Sequence, residues 1–183
     1  MSQRFEFPSI HNFSPFYTQQ VTQTTLQNQI VLWSEIILSY FRHHKLYRLE
    51  LSEALNGELF KNQGIKRRLK LETLQIIIDH MVKQGTAEWD SPPSKNAALI
   101  YWRKPEEWAS LIDKWVFDCG LNNSIVTLYE ILHGESSEGM EFHNLNQTIL
   151  LKALDILVKR GVAQLLQGSS ADDLGVKFFG ING

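Results

Sequence analysis

Residues 32–41 read LWSEIILSYF and residues 107–116 read EWASLIDKWV, so that Trp33 falls on Trp108, Ile36 on Leu111, Ile37 on Ile112 and Tyr40 on Trp115. The offset is 75 residues. A second set follows at an offset of 76: Leu74, Ile78, Met81, Val82, Lys83 and Gly85 fall on Leu150, Leu154, Leu157, Val158, Lys159 and Gly161, with Trp102 on Phe178. Two anchors recurring in one order describe two copies of one small fold in tandem. With 183 residues and 43% apolar content, each copy can bury a core of its own.

Each copy divides into elements by its apolar period. Thr24 and Gln27 have the spacing of a capping box, and Leu26, Ile30, Trp33, Ile37 and Tyr40 then recur every three or four residues, which predicts an amphipathic helix ending in Arg42, His43, His44 and Lys45. A short segment over 49–60 is interrupted by Asn56-Gly57. A strong helix is expected over 71–84, stopped by Gly85, and strands over 86–90 and 97–103 flank SPPSKN. The second copy repeats the order: a helix from Pro105 to Gly120, a middle helix over 124–132, a polar loop over 133–144, a third helix over 147–160, and strands over 162–167 and 175–179 around GSSADDL. The fold class is therefore α+β: two tandem winged-helix domains, each of three helices and a β-hairpin wing. Their expected bounds are 24–103 and 104–183, behind a Pro/aromatic leader over 1–23.

The same residues narrow the function. No phosphate-loop, dinucleotide, nucleophile-elbow or zinc-protease pattern occurs. Glu106-Glu107 and Asp172-Asp173 read as a helix start and a wing tip, and His43-His44 as a polar helix end; Cys119 reads as a small packed residue. No catalytic residue, metal or cofactor is expected, and an enzyme is not. Residues 1–23 lack a secretory pattern, and one cysteine forms no internal disulfide, which points to the cytosol.

Winged helices commonly read DNA with the third helix, but a net charge of −2 gives phosphate no general attraction. The run Lys66-Arg67-Arg68-Leu69-Lys70 reads either as a phosphate contact or as a solvated loop. The third helices carry surplus apolar residues, Ile76 and Ile77 in one and Ile149, Leu151 and Ile156 in the other. These suit burial or a protein partner.

The stretches FEFP (5–8), SPFYT (14–18), GTAEWD (85–90), WRKPEEW (102–108), NNSIVTLYE (122–130), EFHNL (141–145) and GVKFF (175–179) together resemble the family of vacuolar protein sorting-associated protein twenty-five, a subunit of the ESCRT-II complex. The resemblance implies a non-catalytic adaptor, cytoplasmic and peripheral at endosomal membranes, that sorts ubiquitinated cargo to multivesicular bodies. It implies two copies per complex. By resemblance, the leader docks on the two larger ESCRT-II subunits, vacuolar sorting proteins twenty-two and thirty-six, through Phe7, Pro8 and Ile10 and through Pro15, Phe16 and Tyr17. The second domain would bind the ESCRT-III subunit vacuolar sorting protein twenty around Ile125, Val126 and Tyr129 and on the Lys152 side of its third helix. The prolines hold Phe7 and Ser14 extended, so the neighbouring rings are expected to project as preset anchors. The other reading folds the leader back over the first domain. A tandem winged-helix nucleic-acid binder is the alternative for the whole chain.

Overall fold

The computed structural model describes residues 3–170 and 173–181; Asp172 of the Asp172-Asp173 pair lies outside them. The chain divides into two compact units, Met1–Trp102 and Arg103–Gly183.

In the first unit, α1 (Gln23–His44) buries Ile30, Trp33, Ile37 and Phe41 on one stripe, the face its sequence period requires. It begins one residue before the expected capping box. Thr22 is its N-cap and makes no side-chain cap bond; instead the Gln29 side chain accepts from Gln20 N–H at 3.2 Å, tying the incoming chain to the helix. Lys45, in the left-handed region at φ 51°, closes the other end. The segment over 49–60 resolves into β1 (Arg48–Glu50) and a single turn, α2 (Leu51–Ala54). A small hairpin of β2 (Lys61–Asn62) and β3 (Arg67–Arg68) follows, so Arg67 and Arg68 of the basic run lie in a strand and Lys66 in the turn before it, while Leu69 is buried and exposed Lys70 stands at the N-cap of the next helix. α3 (Leu71–Lys83), β4 (Ala87–Trp89) and β5 (Ala97–Ile100) complete the unit, with sheet order β1-β5-β4, all antiparallel.

The second unit repeats this plan. α4 (Pro105–Asp118) opens with the Glu107 carboxylate accepting from Lys104 N–H at 2.9 Å. The expected helix over 124–132 is in part a strand: β6 (Ile125–Thr127) pairs with β8 (Gly175–Phe178), and only then does α5 (Leu128–His133) begin. Three β-branched residues favour the strand, and a capping box at Thr127 and Glu130, with bonds of 3.1 and 3.0 Å, starts the helix after it. α6 (Gln147–Lys159) is N-capped by the Asn146 side chain, and β7 (Ala163–Leu166) completes a sheet of order β6-β8-β7.

The surplus apolar residues of the third helices go mainly into their own cores. Ile77, Ile78 and Ile149 are buried, and Ile76, Leu151 and Ile156 are half-buried. The equivalence of Trp102 with Phe178 does not hold: Phe178 faces Ala163 as Ile100 faces Ala87, an offset of 78, because the second wing is two residues longer. Cys119, expected to be packed, is exposed.

Candidate functional site

The leader forms two consecutive 3-10 turns, Ser9–Asn12 behind Pro8 and Ser14–Tyr17 with Pro15 near its start. Fixed proline φ angles and local N–H to C=O bonds, His11 to Pro8 and Thr18 to Pro15, account for the turns. Their attachment to the first unit is long-range. The Phe16 ring stacks on the Trp33 indole at 4.2 Å and 5°, and the Phe16 carbonyl accepts from Trp33 Nε1–H at 3.0 Å and from the Gln29 amide at 2.8 Å. Tyr17 O–H donates to the His11 carbonyl at 2.8 Å, and the His11 ring bonds the Leu59 carbonyl at 2.9 Å. Burial pushes the Tyr17 pKa up to about 12, so the phenol stays a donor. Arg67 Nε–H donates to Ser14 Oγ at 2.5 Å.

The expected anchors therefore separate into two groups. Phe16 and Tyr17, 4% and 3% exposed, are core residues of the first unit and do not project. The indole face and the Gln29 amide supply better partners for them than water does. Pro8 and Pro15 are exposed, while Phe7 and Ile10 are half-buried, Phe7 lying 4.0 Å from the His11 ring and 5.9 Å from Tyr40. Two apolar side chains beyond the expected set join this face: Phe13 at 55% and Leu32 at 38% exposure. With Ile10, Pro15, Phe16 and Gln29 they line an apolar cleft of about 170 Å³. Phe13 is legible as the third aromatic of the leader; Leu32 is off the core stripe of α1, and that misplacement is its signal.

In the second unit, Ile125 and Tyr129 stand out at 61% and 62% exposure, one on β6 and the other on α5. Val126 alternates inward opposite Val176 and is buried. Lys152 is half-buried on α6. A Cβ added at Gly175 would lie 3.2 Å from Ile125 Cγ2, so this glycine seats the Ile125 side chain.

The basic hairpin lines a cleft of about 480 Å³ with Lys61, Lys66, Arg67 and Arg68, where Arg68 donates to Asn56 Oδ1 at 3.1 Å. On α3, Asp79 accepts from Trp89 Nε1–H at 3.0 Å and pairs with Lys95 at 2.6 Å; on α6, Asp155 pairs with Lys159 at 2.8 Å. Among the described residues no group of three or more His, Cys, Asp or Glu could hold a metal, and no helix is long and apolar enough to cross a membrane.

The fold is that of a tandem winged-helix protein whose first unit carries an N-terminal strap. Residues 10–146 match the family of ESCRT-II complex subunits. The chain is 43% identical over 194 aligned residues to vacuolar protein-sorting-associated protein 25 of Dictyostelium discoideum, covering 98% of this chain and 99% of that one. It is 41% identical to the human protein of that name, covering 98% and 100%. Its backbone matches the crystal structure of subunit VPS25 of the endosomal trafficking complex ESCRT-II with a TM-score of 0.82 and 29% identity, over 93% of this chain and 97% of that one. It also matches a chain in the crystal structure of the VPS22/VPS25/VPS36 endosomal complex with a TM-score of 0.80 and 28% identity, covering 93% and 98%. The chain belongs to the ESCRT-II complex subunit family.

Proposed function

We propose that this chain is the non-catalytic adaptor of an ESCRT-II complex, present in two copies, one on each of the larger subunits VPS22 and VPS36. It acts in sorting ubiquitinated cargo to multivesicular bodies, at endosomal membranes it reaches through the complex. The observation that carries the docking half of this reading is the apolar face of exposed Phe13, Pro15 and Leu32 beside half-buried Ile10, with Phe16 buried in its floor. An exposed aromatic ring and proline on a preset support lose little entropy on docking, which is what a hot spot requires. Phe7 and Pro8 extend the face, and Phe16 and Tyr17 act as its buried footing. The second unit presents Ile125 and Tyr129, with Lys152, to the ESCRT-III subunit vacuolar sorting protein twenty; Val126 serves from within the sheet.

The nucleic-acid reading is less favoured, since the net charge of −2 gives phosphate no general attraction and on each third helix a carboxylate, Asp79 or Asp155, already pairs with a lysine.

The deciding experiment is the native mass of this chain mixed with the two larger subunits, comparing the intact protein with Phe13→Ser/Pro15→Ala. These positions are exposed, so the variant is expected to fold. An assembly holding two copies of the intact chain and none of the variant supports docking through the leader face. Equal assembly by both sinks it.

A further inference from the structure

His11 is a buried histidine, 4% exposed, lying between the two leader motifs. Its ring stacks on Phe7 at 4.0 Å and meets Tyr17 and Trp33 edge-on at 5.7 and 6.1 Å. Its Nε2–H donates to the Leu59 carbonyl at 2.9 Å, across 48 residues of chain. Its own carbonyl accepts from Tyr17 O–H at 2.8 Å and from the Asn62 amide at 2.9 Å. One residue thus receives Phe7 of the first motif and Tyr17 of the second, and bonds both to the body of the unit.

The slot is built for an uncharged ring. Three of its neighbours are aromatic, and its one hydrogen bond from the ring to the core uses the Nε2 donor that a neutral imidazole already has. The charged or titratable groups around it are Arg4 and Tyr17 on the leader, Glu58 on the connection to β2, Lys61 on β2 itself, and Tyr40 on α1 behind Phe7. Glu58 and the Leu59 carbonyl favour the proton, but burial outweighs them and holds the imidazole below its ordinary value of 6.5.

We propose that His11 is the positioning residue of the leader: as the neutral imidazole it locks both motifs against the first unit, and taking up a proton releases them. The partner-facing surface is then assembled at neutral pH and lost in mild acid. The lock is independent of what docks there; only its consequence for a partner rests on the docking function proposed above. The sign follows from linkage. Docking lowers the pKa, so protons bind the released leader better. The docked-to-released ratio is highest above pH 6.5, falls by up to about tenfold per pH unit below it, and levels off below the docked value.

The test uses the full chain. The Trp33 indole N–H donates to the Phe16 carbonyl, so its NMR signal reports the docked leader. Between pH 7.5 and 5 the docked signal is expected to fade in the wild type but to hold in His11→Gln, which keeps an N–H donor and cannot titrate. A second variant, His11→Phe, keeps the ring without the donor. A wild-type signal unchanged to pH 5, or one lost equally in a variant that is docked at pH 7.5, overturns the proposal. If both variants are released already at pH 7.5, the wild-type His11 ring is titrated instead: a midpoint below 6.5 supports the lock, and one at or above 6.5 overturns it. The native mass with VPS22 and VPS36 at pH 7.5 and 5.5 separates the two ideas. A leader that releases while the assembly persists leaves the lock standing and defeats leader docking.

Discussion

The two units solve one problem with different parts of the chain. In each, the first helix carries a large aromatic seven residues, about two turns, beyond its buried tryptophan, Tyr40 after Trp33 and Trp115 after Trp108. In the second unit Trp115 is covered locally: Phe142 meets it edge-on at 5.3 Å, and its indole N–H donates to Ser136 at 2.9 Å, both from the segment between α5 and α6. Trp108 carries the Arg103 guanidinium 4.8 Å from its ring. In the first unit the corresponding segment is occupied by the β2–β3 hairpin, and the leader supplies the cover. Phe5 and Phe7 lie over Tyr40 at 5.2 and 5.9 Å, and Phe16 over Trp33. A cover that precedes the first helix can be released without breaking the helices that follow it; one drawn from a loop between two helices cannot. The reversible element of the molecule is therefore expected in the first unit.

The largest effect that would break this comparison is a pair of core truncations. Phe16→Ala and Phe142→Ala each remove a buried or nearly buried ring, and each is expected to cost about 3–5 kcal/mol. The loss should be confined to the unit concerned, as read by amide hydrogen exchange segment by segment in mild urea. Should Phe16→Ala leave the exchange of α1 unchanged, the leader is not the cover of the first unit.

How far such equivalences could be read in advance depended on the range of the interaction. The Trp33/Trp108 and Leu74/Leu150 anchors were legible because a helix repeats its apolar face every three to four residues, and all four side chains are buried. Strands β1 and β6 were not, because three residues hold too little alternation to register; Ile125 and Val126 read as helix until β8 pairs with them. The fate of Phe16 was least legible of all. Its partner lies 17 residues away on another element, and nothing local distinguishes a ring that will stack on Trp33 from Phe13, three residues earlier, which stays outside. For the candidate site the residues were visible but not which of them face outward.

A middle-sized effect sharpens the contrast at the third helices. Asn146 caps α6 by accepting from Ile149 N–H at 3.2 Å, whereas Lys70, at the N-cap of α3, makes no side-chain cap bond. Asn146→Ala should cost the second unit about 1 kcal/mol, and Lys70→Asn should stabilise the first by about 0.5–1 kcal/mol. The shift in urea midpoint at constant slope reads both. A gain at Asn146→Ala would mean that α6 is held from elsewhere and that the two third helices are not equivalent.

The smallest effects on stability are expected at the exposed apolar residues, and there the difference between structural and functional burial is sharpest. Phe13→Ser and Ile125→Ser remove side chains 55% and 61% exposed and should each change stability by less than about 0.5 kcal/mol. If Phe13 is a docking anchor, the same substitution weakens binding to the larger subunits by about 2 kcal/mol, roughly thirtyfold, in a titration calorimeter. A Phe13→Ser variant that loses stability and binding by similar amounts would make the ring part of the fold. A loss of binding alone identifies a side chain kept outside although burial would favour it in isolation, its partner being another chain.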